Sequence, residues 1–113
     1  MADRVVQALE AGNFIQMTSQ GSDLILYCGD FNTEPGDLPH QILTKMFKLN
    51  DPHSSTPLKT HYRKENSFTE AYVTRPITID YIMNKPVSSG SGTVEVIKLE
   101  FPLKERIDKA NTR

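Results

Sequence analysis

The stretch Leu24-Ile25-Leu26-Tyr27-Cys28-Gly29-Asp30-Phe31-Asn32-Thr33-Glu34-Pro35-Gly36-Asp37-Leu38 decides the fold. Its first five residues are a continuous apolar run ended by Gly29, the pattern of a short strand buried on both faces. Thr33 to Asp37 is a turn by composition, with Pro35-Gly36 as punctuation and Asp37 placed to cap a helix that starts near Leu38. Pro39 suits the first turn of that helix, where its missing N–H has no helical partner to lose. A strand that runs through a polar turn into a helix is one step of a layered α/β arrangement.

Upstream, Val5, Ala8, Leu9, Gly12 and Ile15 recur along one side of a helix spanning Arg4 to about Ser19, with Gly21 as its stop. Downstream, Leu38, Ile42, Met46 and Leu49 predict the apolar face of the second helix, which ends by Asn50-Asp51-Pro52. Residues 52–69 have neither helical nor strand period and read as a long loop, a candidate rim for a site. Residues 77–83 alternate as a strand, residues 84–92 read as a connecting loop, and Thr93 to Leu103 as a last strand. The phase change at Val96-Ile97 in that strand hints at a bulge. The charged tail from Glu105 to Arg113 is expected to fray.

With 113 residues the chain is sized for one small domain, taken here as residues 1–113. Thirteen Lys and Arg against fourteen Asp and Glu leave no broad positive field, which excludes charge-driven binding to nucleic acid or to an anionic membrane. Cys28 is the single cysteine. In its apolar run it is expected to be a buried thiol in a reducing compartment rather than a nucleophile, which needs an exposed electropositive setting. No apolar run approaches the roughly 20 residues of a membrane span, and Met1-Ala2-Asp3-Arg4 opens no signal region.

The residues with most chemical content are Asp30 and Asn32, at the end of the predicted strand, where α/β enzymes gather polar groups. Two residues apart on an extended segment they project to one side, so a carboxylate can hold a water or a metal while an amide donates to a phosphate oxygen. From spacing alone a pair of turn caps explains them at least as well. Glu34 and Asp37 read as a turn residue and a helix cap rather than a paired acid and base.

Leu26-Tyr27-Cys28-Gly29-Asp30-Phe31-Asn32 resembles the GDFN motif of the endonuclease/exonuclease/phosphatase superfamily, whose members are Mg-dependent phosphodiesterases and phosphomonoesterases. Thr33-Glu34-Pro35-Gly36-Asp37-Leu38, the helix beginning Arg4-Val5-Val6-Gln7-Ala8 with Phe14-Ile15, and Val96-Ile97-Lys98-Leu99-Glu100-Phe101-Pro102-Leu103 are similar more narrowly to neutral sphingomyelinases. The resemblance runs from Arg4 to about Lys104. It implies an α/β fold: part of a four-layer α/β sandwich of two packed sheets and outer helices, incomplete at both ends.

The same resemblance assigns Asp30 to orienting or deprotonating the attacking water and Asn32 to the substrate phosphate. Ile79-Asp80-Tyr81 resembles an IDY element whose Asp, here Asp80, orients a catalytic His further along the chain; Thr78 stands where relatives often have Arg. Asn66-Ser67-Phe68-Thr69 resembles a segment at the mouth of the site. The implied cofactor is Mg²⁺ and the implied substrate sphingomyelin, met at a membrane surface on the cytoplasmic side through the parent enzyme, with no nucleic acid expected. The family's metal-binding Glu lies upstream of Arg4 and its catalytic His in a later SDH element, so this chain is expected to hold no metal ligand of its own and to be inactive alone. His40, His53 and His61 match no family position and read as solvated loop or helix-surface histidines. A nuclease or inositol-phosphate phosphatase of the same superfamily, or a non-catalytic product that binds a lipid head group or a partner, remain the alternatives.

Overall fold

A computed structural model describes residues 2–55, 59–60, 77–86 and 94–97. Its element order is α1 (Ala2–Thr18), β1 (Leu24–Asp30), a short helix α2 (Leu38–Gln41) that widens into a π-helical segment (Ile42–Met46), and β2 (Asp80–Pro86).

The 3.6-residue period of α1 works as the sequence predicts. Ala8 and Gly12 are buried and Val5, Leu9 and Ile15 half-buried on the same side. Asp3 in the first turn complements the helix dipole. At the other end the Thr18 hydroxyl donates to the Phe14 carbonyl at 2.7 Å, and Gly21 turns the chain at φ +84°. Gly12 has no alternative: a Cβ there would overlap the Phe47 ring.

The helical stretch after Leu38 differs from expectation in its face. Leu38 and Met46 are exposed, whereas Pro39, Leu43 and Phe47 point inward. Pro39 and His40 set the inward phase in the first turn, and the wider turn that follows carries Leu43 and Phe47 round with it. The Phe47 N–H donates to the Ile42 carbonyl five residues back, and the Leu49 N–H to the Leu43 carbonyl. Only Leu49 of the predicted stripe is fully buried. Lys48 at φ +62° ends the helix before Asn50, as predicted, and Lys85 Nζ from β2 donates to the Phe47 carbonyl at 3.1 Å.

β1 and β2 pair antiparallel from Leu24↔Pro86 to Asp30↔Asp80. One face packs on the helices: Tyr81 and Met83 join Ala8, Leu43 and Leu49 in the core, with Ile25, Tyr27 and Phe31 against it. The other face is open, so β1 is not buried on both sides. Leu26 and Ile82 are 61% and 58% exposed, and the Cys28 thiol is exposed too, because among the described residues that side faces only a wide trough shared with residues 94–97.

β2 starts three residues later than the alternation predicts, and residues 84–86 of the expected loop are its last part. Asn50 extends the pairing, exchanging backbone hydrogen bonds with Asn84 at 2.7 and 3.0 Å. Residues 94–97 of the expected last strand are exposed and join no strand among the described residues; the rest of it, most of the loop at 52–69 and the tail lie outside the described residues. Helices on one face of a sheet are compatible with the α/β class. No helix among the described residues is long and apolar enough to cross a membrane.

Candidate functional site

Asp30 closes β1 and Asp80 opens β2, and the register places them directly opposite each other on the open face. Opposed residues of an antiparallel pair hold their Cβ atoms roughly 5 Å apart. Two of the three residues singled out from the sequence therefore meet at one end of the sheet, although 50 positions apart in the chain. Thr60 Oγ1 fixes the start of β2 by accepting the N–H groups of Ile79 and Asp80 at 3.1 and 3.2 Å.

The third, Asn32, lies in a turn rather than on an extended segment, and with Asp30 it lines a second cavity, of about 180 Å³, that Asp80 does not reach. Gly29 at φ +152° precedes it, and Asn32 itself lies in the left-handed region at φ +47°. Asp30 Oδ1 accepts the Asn32 N–H at 2.9 Å, an Asx turn. The turn-cap reading of Asp30 is thus correct, and the argument from strand alternation between the two side chains is not. Between them Phe31 faces inward: its N–H donates to the Ile79 carbonyl at 2.8 Å, and its ring stacks on Tyr27 at 4.8 Å and Tyr81 at 5.2 Å. One apolar anchor thereby leaves its two polar neighbours exposed.

The segment after Asn32 is held from behind. The buried Tyr81 hydroxyl donates to the Thr33 carbonyl at 2.7 Å, with the Thr78 carbonyl further off at 3.3 Å. Burial pushes the Tyr81 hydroxyl far above the ordinary tyrosine value, and the carboxylates of Asp51, Asp37, Glu34 and Asp80 add to it. Tyr27 is raised by burial alone. Asp37 sits at the helix N-cap without capping it; its Oδ2 accepts the Glu34 N–H instead, at 3.1 Å.

His40 is not the solvated histidine the sequence suggests. It is buried, its Nδ1 accepts the Gly36 N–H at 3.2 Å, and its Nε2 lies 2.8 Å from Asp51 Oδ2. The other Asp51 oxygen accepts the His53 N–H at 3.1 Å. His53 is half-buried and His61 lies outside the described residues, as do residues 66–69. Sequence reasoning missed Tyr81, His40, Asp51 and Thr60 as organisers. Only Tyr81 carried a signal, as the inward residue of the IDY alternation; Asp51 looked like a helix terminator.

Asp30 and Asp80 stand at one end of a cavity of about 680 Å³ whose walls include Leu26, Cys28, Ile82 and Val96. A pair of exposed carboxylates beside an apolar trough can orient water or a base and attract a cation. Among the described residues no cluster of three or more His, Cys, Asp or Glu would hold a metal ion. Carboxylate oxygens nonetheless suit Mg²⁺, which commonly takes one or two of them and fills its shell with water and phosphate oxygens.

No profile of a known protein family matches the chain. Individual proteins do. Sphingomyelin phosphodiesterase 2 of Homo sapiens is 33% identical over 98 residues, covering 78% of this chain and 23% of its own length. The Mus musculus protein of the same name is 32% identical over 109 residues, covering 86% and 26%. A Drosophila melanogaster protein named for the neutral sphingomyelinases is 31% identical over 103 residues, covering 88% and 23%. The chain therefore spans about a quarter of the length of the curated relatives it matches. Through most of its own length, this chain is a homologue of the neutral sphingomyelinases and sphingomyelin phosphodiesterase 2.

Proposed function

We propose that this chain is the part of a sphingomyelin phosphodiesterase that carries the water-orienting and phosphate-binding residues, and that it does not turn over substrate alone. The observation that carries the reading is the meeting of Asp30 and Asp80 across the sheet, with Asp30 also capping the turn that holds Asn32. In this reading Asp30 orients or deprotonates the attacking water, Asn32 donates to a phosphate oxygen, and Asp80 holds the imidazole of a histidine supplied by a further element. Like charges directly opposed on a sheet repel. A cation or an imidazolium between Asp30 and Asp80 relieves that repulsion, which is the physical case for both.

In the complete enzyme Mg²⁺ would polarise the phosphodiester and offset its developing charge. The neighbouring apolar trough favours an amphipathic substrate, a phosphodiester with a lipid body, over a nucleotide or an inositol phosphate. The products would be ceramide and phosphocholine. The test is a chimera in which this chain replaces the matching quarter of human sphingomyelin phosphodiesterase 2. Expected are Mg-dependent release of phosphocholine from sphingomyelin vesicles, at least a hundredfold loss in Asp30→Asn, and a similar loss in Asn32→Gly, which keeps the positive φ but removes the amide. Unchanged rates in both variants, or turnover of DNA or inositol phosphates in place of sphingomyelin, would overturn the reading.

A further inference from the structure

We infer that His40 and Asp51 are positioning residues for the site turn, acting through Gly36, and that they hold it in a single imidazole tautomer. Among the attachments of the turn from Thr33 to Asp37 are the Tyr81 hydroxyl on the Thr33 carbonyl and the His40 ring on the Gly36 N–H. A ring nitrogen that accepts an N–H carries no proton itself. The ring proton therefore sits on Nε2, where it is donated to Asp51 Oδ2 at 2.8 Å. Asp51 is fixed in turn by the His53 N–H on its other oxygen.

The side chains of His40 and Asp51 are 8% and 6% exposed, so water does not readily substitute for either partner. Gly36 adopts φ +88°, and Gln41 Nε2 donates to its carbonyl at 2.7 Å, so the residue is held at both its N–H and its carbonyl. Protonating Nδ1 turns the acceptor into a donor facing the Gly36 N–H, and that attachment must break.

The titratable groups around the ring come from four places. Asp51 lies on Nε2, Tyr81 of β2 presents its ring at 5.5 Å, and Arg4 of α1 and Asp30 of β1 share a cavity of about 180 Å³ with His40. The consequence is a turn that is ordered while Nδ1 is bare and released when it takes up a proton. The effect on Asn32 rests on the proposed function; the tautomer and the Gly36 attachment do not.

The experiment is nuclear magnetic resonance on the whole 113-residue chain. Long-range proton–nitrogen correlations of the His40 ring should report the Nε2–H tautomer at neutral pH, and the Gly36 amide should lose hydrogen-exchange protection at least tenfold once the ring becomes doubly protonated. His40→Asn keeps an acceptor near the Nδ1 position, so Gly36 stays protected. His40→Gln offers its amide near the Nε2 position instead, and protection drops at least tenfold. An Nδ1–H tautomer, or a Gly36 amide equally protected in wild type across the titration, would overturn the proposal without touching the phosphodiesterase reading. Loss of activity in the chimera carrying Asp30→Asn, with the His40 tautomer intact, would leave both standing.

Discussion

At the residue scale the aromatic side chains do the positioning. Phe31 is the only member of Gly29-Asp30-Phe31-Asn32 that points inward, and its stacking between Tyr27 and Tyr81 decides that Asp30 and Asn32 point out. Tyr81 couples this stack to the turn through its hydroxyl. Tyr81→Phe should cost about 1–2 kcal/mol, because the Thr33 carbonyl loses its donor in a place water reaches poorly. The pH dependence has a definite sign. A folded-state value raised above the ordinary tyrosine pKa of about 10 contributes stability that is whole below pH 10 and lost as pH rises through the folded value. Alkaline unfolding followed by circular dichroism should therefore begin above about pH 10 in wild type and be shallower in Tyr81→Phe, with the raised Tyr27 supplying the remainder.

At the scale of elements, the contact between α1 and the π-helical segment rests on a missing side chain. Phe47 occupies the space a Cβ on Gly12 would need. Alanine is the better helix former by about 1 kcal/mol, yet overpacking costs typically 1–3 kcal/mol. Gly12→Ala should therefore lower the urea midpoint, and adding Phe47→Leu should recover part of the loss, a non-additivity that identifies the overlap. A Gly12→Ala variant at least as stable as wild type would mean the ring moves aside freely. The same contact explains why the second helix buries a different face from the one its apolar spacing predicts. Leu38, Ile42 and Met46 fit a regular α-helical stripe, but the widened turn serves Leu43 and Phe47.

At the scale of the whole molecule, one sheet has a packed face and, among the described residues, an open one. Leu24, Leu26 and Ile82 are exposed apolar residues on the open face, beside the exposed thiol of Cys28. Apolar strand surface of this kind drives association with whatever can cover it. Sedimentation of the isolated chain should show concentration-dependent self-association, weakened at least tenfold by Leu26→Thr with Ile82→Thr, since threonine keeps strand propensity while removing apolar area. A wild-type chain that stays monomeric at high concentration would show that the open face is not adhesive.

The sequence by itself determined the elements whose cause is local. The apolar period of α1, the strand ended by Gly29, the turn punctuated by Pro35-Gly36 and the start of α2 at Leu38 all follow from neighbouring residues, and each is found within a few positions. It also singles out Asp30, Asn32 and Asp80 as candidates, through resemblance to motifs that are short and contiguous. Tertiary structure decided what depends on distant partners. The face of β1 left open depends on what covers it, the inward stripe of the second helix on Gly12 and Phe47, and the burial of His40 on Asp51, eleven residues on. The opposition of Asp30 and Asp80 is of the same kind: strand register is a property of two segments together, and neither contains it alone.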